Sequence, residues 1–204
     1  MNRPARKPSL QTQLKEASRT AILDAASDVF TLRGRDAKMS EIAERAGVAT
    51  GTLYNYFKSK EHVFDALAQR GKEEFKESLQ RSRLAARPLE RLTQIVTSAF
   101  TFLDERGALF AVHVERESSR IVWLSRPAAK EPVRELIYQL TREAIREGQE
   151  AGLIRQDAPL DLLVHSLLAF MEGAIATWLL GGRREALSPQ AEVVVRLFIQ
   201  GAHK

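Results

Sequence analysis

Apolar residues recur at three- and four-residue spacing along most of this chain, and no stretch shows a convincing pair of alternating strands. Ile22, Ala26, Val29 and Phe30 form the first stripe, starting near residue 18, and Gly34 is its natural stop. Met39, Ile42, Ala43 and Ala46 form a short second stripe, and Leu53 and Phe57 anchor a third over residues 50–57. Ser59 is placed to cap a fourth helix reaching about Arg81, with Glu61 in its first turn and Val63, Phe64, Leu67, Ala68 and Phe75 inward. Pro88 can open a fifth along Leu92, Ile95, Val96, Phe100 and Leu103, which Gly107 is expected to end. A short sixth is expected over residues 109–115. Pro132 starts a seventh along Leu136, Ile137, Leu140 and Ile145. Pro159 starts an eighth that Gly181 and Gly182 close, and Ser188 and Pro189 introduce the last. The expectation is all-α, with about nine helices in total. Residues 1–17 read as a flexible basic arm, residues 18–64 as a three-helix helix-turn-helix unit, and residues 65–204 as a helical bundle.

The third helix changes the picture. In "AGVATGTLYNYFKSKE", Gly47 supplies a turn between two short helices. With Leu53 turned inward at about 100° per residue, Gly51 and Asn55 face away and Thr52 and Tyr54 flank them. Gly51 would let a helix backbone approach a duplex closely. The flanking side chains suit phosphates and base edges of a major groove. Lys60, in the first turn of the next helix, is placed for one phosphate. A solvated surface would show a similar composition, so this face alone leaves DNA binding at even odds. Charge adds to it. The chain carries net +5, and residues 1–72 hold 13 Lys and Arg against 8 Asp and Glu, so the whole excess lies there.

A longer pattern is more specific. "RTAILDAASDVFTLRG" followed by "SEIAERAGVATGTLYNYFKSKEHVF" resembles the N-terminal domain of the TetR family of bacterial transcriptional regulators, over residues 19–64. The resemblance implies that Thr50, Gly51, Thr52, Tyr54, Asn55, Tyr56 and Lys60 match DNA-contacting positions; Lys38 and Ser40, at the start of the second helix, join them as candidates. Two positions depart from the family pattern. Lys38 and Met39 stand where a threonine or serine usually opens the second helix, and Ala49 stands where a serine usually caps the third. Thr50 is the alternative source of capping there.

The remaining two thirds carry less chemistry. There is no cysteine, hence no disulfide framework, in keeping with a reducing cytoplasm. His62, His113, His165 and His203 share no metal-ligand spacing, and no nucleophile–base set appears. No cofactor and no enzymatic activity are expected. The most apolar stretch, residues 160–180, contains His165 and Glu172, which argues for a buried or pairing helix and not for a membrane span. By resemblance, this part binds a small-molecule effector and forms a two-fold homodimer. Candidate effector contacts are His113, Glu117, Arg120, Trp123, Phe170, Met171 and Trp178. Leu167, Met171, Ile175, Val194, Val195 and Phe198 are the candidate dimer interface, because a helix apolar on most sides needs two partners. The function expected is a ligand-responsive repressor of operator DNA. The rival is a helical small-molecule-binding protein or enzyme with a vestigial helix-turn-helix. Which effector and which operator are not encoded in any residue pattern.

Overall fold

Ser9 is the first residue of the chain that the structure describes, and it caps the first helix. Its Oγ accepts from the Thr12 N–H at 3.2 Å, and α1 runs Leu10–Arg33. This computed structural model describes residues 9–85, 87–116 and 132–202, apart from the side chains of residues 35, 107–116, 132 and 202. The remaining α-helices are α2 Met39–Arg45, α3 Thr50–Tyr56, α4 Lys60–Arg81, α5 Pro88–Arg116, α6 Pro132–Glu150, α7 Leu160–Leu180 and α8 Ala191–Ala202. Short 3-10 turns lie at Gly34–Asp36, Ser82–Leu84 and Ser188–Gln190. No strand occurs among the described residues.

Two boundaries differ from those the periodicity gives. Residues 10–17 are helical and not part of a flexible arm, because the Ser9 cap satisfies an end that no apolar stripe marks. Nor does Gly107 end α5. The backbone stays helical through it to Arg116, so the fifth and sixth expected helices are one. A glycine inside a helix costs only about 1 kcal/mol against alanine, and a long helix tolerates that.

The chain divides into two compact units. The division falls between Arg70 and Gly71, within α4, and Ala108–Arg116 group with the first unit. The first unit closes on Ile22, Ala26 and Phe30 of α1, Ile42 and Ala43 of α2, Leu53 of α3, and Phe57, Val63, Phe64 and Leu67, nearly all with their surface removed from water. Phe30 meets Phe64 edge-on at 5.5 Å, a favoured aromatic geometry. In the second unit, Leu92, Ile95, Val96 and Phe100 of α5 are buried, as are Leu140, Ala144 and Ile145 of α6 and Val164 and Leu167 of α7. Phe75 and Phe102 stack at 4.4 Å, joining the end of α4 to α5.

The start of α8 is held from a distance. The Asp104 carboxylate of α5 accepts from the Leu187 N–H at 2.6 Å and the Ser188 N–H at 2.8 Å. It satisfies two backbone donors ahead of α8. Trp178 closes the same loop, donating its Nε1–H to the Glu185 carbonyl at 2.7 Å.

Candidate nucleic-acid interface

The turn between α2 and α3 is set by backbone geometry. Gly47 adopts φ +67°, and the Val48 and Gly47 N–H groups reach back to the Ala43 and Glu44 carbonyls at 3.0 and 3.1 Å. This six-to-one and five-to-two pattern closes α2 and requires the left-handed conformation that glycine adopts without cost. A Cβ there would meet no atom within 4 Å, so the dihedral and not crowding selects glycine.

The two helix starts use no cap from the expected side chains. Ala49 is the N-cap of α3, and its carbonyl alone receives the Thr52 and Leu53 N–H groups; Thr50 does not take over the side-chain role. At α2, the Glu41 carboxylate accepts from the Lys38 N–H at 3.0 Å. That is one half of a capping box. The other half needs an acceptor, which the Lys38 ammonium lacks. Ser59 does cap α4, its Oγ accepting from the His62 N–H at 3.2 Å.

The structure brings the sequence candidates of the first unit together. Leu53 and Phe57 are fully buried, and Thr50, Gly51, Thr52, Tyr54 and Asn55 are exposed on α3. Lys38 and Ser40 are exposed at the start of α2, while Tyr56 is half-buried against the core and Lys60 half-buried in the first turn of α4. A Cβ on Gly51 would meet no atom within 4 Å, so its face is open. This is a short helix held by one buried side, with a polar, lysine-flanked side facing water. Residue periodicity did not find Arg19. Its guanidinium stands 5.2 Å from the Phe57 ring centroid and covers the inner end of α3.

The effector and dimer-interface candidates separate. The side chain of His113, and residues Glu117, Arg120 and Trp123, lie outside the described residues. Met171 and Trp178 are buried, but Phe170 is 44% exposed and does not line an interior. Leu167, Met171, Val194, Val195 and Phe198 are at most 6% exposed within a single chain, and Ile175 is half-buried. The surface of the first five is taken up by packing inside the protomer, and Ile175 keeps part of its own open. The apolar residues that α7 and α8 leave exposed are Leu162, Phe170, Leu180, Val193 and Leu197. On α7, Leu162, Ala169, Phe170, Gly173 and Thr177 fall on one side. Several consecutive apolar residues on these helices leave the choice of face open in the sequence.

Along the seam of α6 and α7 runs a polar row. Asp161 accepts from the Tyr138 hydroxyl at 3.1 Å and from Arg142 Nε at 3.2 Å. These hydrogen bonds, Tyr138 first, hold its carboxyl below the usual range. Further along, burial pushes the Glu172 carboxyl up, against the opposing pull of Arg134. Among the described residues no group of His, Asp and Glu is arranged to hold a metal. By length and composition α7 would suffice to cross a membrane, but one face of it packs within the second unit, burying Leu163, Val164, Leu167, Met171 and Trp178.

Residues 22–67 match the family model described as bacterial regulatory proteins, tetR family. The chain is 30% identical over 190 residues to the uncharacterized HTH-type transcriptional regulator YdgC of Bacillus subtilis (strain 168), covering 90% of this chain and 92% of that one. It is also 30% identical over 185 residues to the HTH-type transcriptional repressor DhaR of Mycobacterium sp. (strain GP1), covering 86% and 89%. Among solved structures it is similar to the fatty acid degradation regulator FadR from Bacillus halodurans, with TM-score 0.61, 26% identity and coverage of 90% and 99%. At 23% identity and TM-score 0.64 over 91% and 95% of the chains, the ketosteroid regulator KstR2 of Mycobacterium tuberculosis shares the fold.

Proposed function

As a member of the TetR family of bacterial transcriptional regulators, the chain is a DNA-binding regulator, and from that premise we propose a finer reading: a cytoplasmic repressor that occupies its operator as a two-fold dimer and leaves it when a small-molecule effector binds. The observation that carries this is α3, whose buried side fixes it to the first unit while Gly51, Thr52, Tyr54 and Asn55 remain open. Thr50 and Thr52 read base edges, Gly51 permits close approach, and Tyr54, Tyr56, Lys38, Ser40 and Lys60 hold phosphates. The regulators and repressors among the relatives support the repressor sign.

A second copy covers the open side of α7 and α8. Leu162, Phe170, Val193 and Leu197 would supply its apolar centre, and Gly173 a point of close approach. Pairing two identical faces produces two recognition helices related by a two-fold, as two half-sites about one helical turn apart require. In the second unit, Thr141 is fully buried and its hydroxyl has no hydrogen-bond partner among the described residues. Such a group is costly, and a polar atom of the effector would satisfy it. The effector acts through unequal affinity for the DNA-competent and released states, and α4, shared by both units, carries the difference.

Selection of duplexes from a random pool, followed by gel retardation, tests the reading. A selected, two-fold-related sequence retained over random duplex supports it. Absence of any retention at low salt would leave a ligand-binding helical protein instead.

A further inference from the structure

A serine or threonine inside a helix has an acceptor within reach, the carbonyl four residues back. This chain uses it repeatedly. Ser18, Thr31, Thr93, Ser166 and Thr177 donate to the carbonyls of Leu14, Ser27, Leu89, Leu162 and Gly173 at 2.8–3.2 Å. Buried Ser82 donates to the Leu79 carbonyl at 2.6 Å. Thr141 on α6 does otherwise. It is more covered than any of these, at 0% exposed, yet its hydroxyl has no partner among the described residues, although Ile137 stands four positions before it. The hydroxyl is therefore not turned to its own helix. Ile137 and Ile145, one turn to either side, are buried, as are Leu140 and Ala144, so the group stands in an apolar interior.

Those surroundings decide what kind of molecule can meet it. A charged effector drawn into such an interior needs an opposing charge to answer it. The covered charges of the second unit are engaged. Arg91 and Arg106, with side chains 12% and 18% exposed, are paired with Glu147 at 3.0 Å and with Glu74 at 2.6 Å. Arg91 Nε makes no hydrogen bond among the described residues, but the same guanidinium also donates to the Ala85 carbonyl, and an anion arriving there would compete with Glu147. Asp104 holds the Leu187 and Ser188 N–H groups, and half-buried Glu172 answers to Arg134. The Thr141 hydroxyl is neutral and can donate or accept. We infer that the effector is an uncharged, largely hydrocarbon molecule bearing a hydrogen-bonding oxygen, a ketone or an alcohol, and that Thr141 is the residue that recognises this oxygen. A carboxylate, phosphate or amine would bring an unanswered charge among Ile137, Ala144 and Ile145. The unmet hydroxyl is a standing cost to the empty protein, and binding removes it.

The inference deepens the effector reading above and rests on it, and the test keeps the two apart. The full-length native chain, Thr141→Val and Thr93→Val are melted alone and with a panel of straight-chain, cyclic and aromatic methyl ketones and alcohols, each beside the carboxylate and the amine of the same carbon skeleton. Every probe that binds the native chain is then tried for release of a duplex that this chain has selected from a random pool. Without a probe, Thr141→Val melts about 3 °C above the native chain, because a methyl of the same shape replaces an unmet hydroxyl. Thr93→Val, which deletes a hydroxyl bonded to Leu89, does not rise. A ketone or alcohol raises the melting of the native chain, releases the duplex, and binds Thr141→Val about tenfold more weakly. One substitution thus strengthens the empty protein and weakens the complex, which a merely structural threonine would not do. If Thr141→Val melts no higher than the native chain, if the neutral probe binds it undiminished, or if no neutral probe binds the native chain, the inference is overturned. Should carboxylates or amines alone bind and release the duplex, the effector reading stands and its neutral class falls. If no duplex is selected at low salt, the regulator reading falls and takes the inference with it.

Discussion

At the scale of single residues, the division of labour on α3 is testable side chain by side chain. Tyr54→Ala and Lys60→Ala are expected to weaken retention of every duplex alike, as loss of a phosphate contact does. Thr52→Ala should relax preference at one position of the selected sequence, by about 1–3 kcal/mol if a base contact is lost. An unchanged selected sequence would remove Thr52 from the reading face. The two acids on α7 make a matched pair in pH. Asp161 ionises more readily in the folded chain than its ordinary 3.8, because Tyr138 and Arg142 hydrogen-bond its carboxylate. Its stabilisation is present above that value and is lost as pH falls through the folded pKa. Glu172 has the opposite sign. Burial raises it above 4.5, so it favours the folded chain below that value and the benefit disappears as pH rises through the folded pKa. Thermal unfolding should therefore show Asp161→Asn destabilising at neutral pH and silent in acid, and Glu172→Gln stabilising at neutral pH and silent in acid. Equal effects of either substitution at both pH values would contradict these shifts. Of these residues, the α3 side chains and Lys60 could be singled out from the chain alone, because a helix seven residues long with one buried edge leaves little choice of face and Lys60 falls in the first turn of the next. Asp161 acquires its partners from a helix that ends eleven positions earlier, and no local pattern announces them.

At the scale of elements, the ends of the helices carry the most information. Most of them follow from single residues: Pro88, Pro132 and Pro159 at helix starts, Gly47 and Gly182 at positive φ after helix ends. Two escaped such reading for opposite reasons. Gly107 looks like a stop and is not, since flanking helix formers carry the backbone through it. Ser9 stands ahead of a segment without an apolar stripe, yet its hydroxyl supports two turns of helix. The entry to α8 is of a third kind, for its cap arrives from Asp104, 83 and 84 positions away. Removing that carboxylate leaves two half-buried backbone donors short of an acceptor. Asp104→Ala should lower unfolding free energy by about 3 kcal/mol. Hydrogen exchange should rise first at Leu187 and Ser188. A loss of stability spread evenly over the chain would argue that Asp104 is not a local clamp.

At the scale of the whole molecule, the proposed pair depends on which side of α7 and α8 remains free. Val195 is 5% exposed and Leu197 49%, two positions apart on the same helix. Leu197→Asp should give a folded monomer in sedimentation, with retention of the selected duplex lost or much reduced. Val195→Asp places a carboxylate in the protomer's own interior and should lower the melting temperature sharply. A stable, monomeric Val195→Asp would reverse the assignment of the two faces. The gross plan of a reading head and a helical body was legible from periodicity and from one long motif. The free face was not, because Leu167, Phe170 and Met171 are alike in hydropathy and only the packing of neighbours decides which of them is covered.

That free face has a consequence in the cell. The proposed pairing surface draws only on α7 and α8, and the proposed groove-reading residues only on α2, α3 and the first turn of α4. A full-length chain altered at Gly51 or Thr52 would thus still be admitted into partnership with unaltered chains. Each mixed pair would possess a single competent arm. Modest expression of such a chain alongside the native one should derepress the controlled promoter in proportion to the share of mixed pairs, a dominant-negative effect that Leu197→Asp, placed on the same altered chain, should abolish.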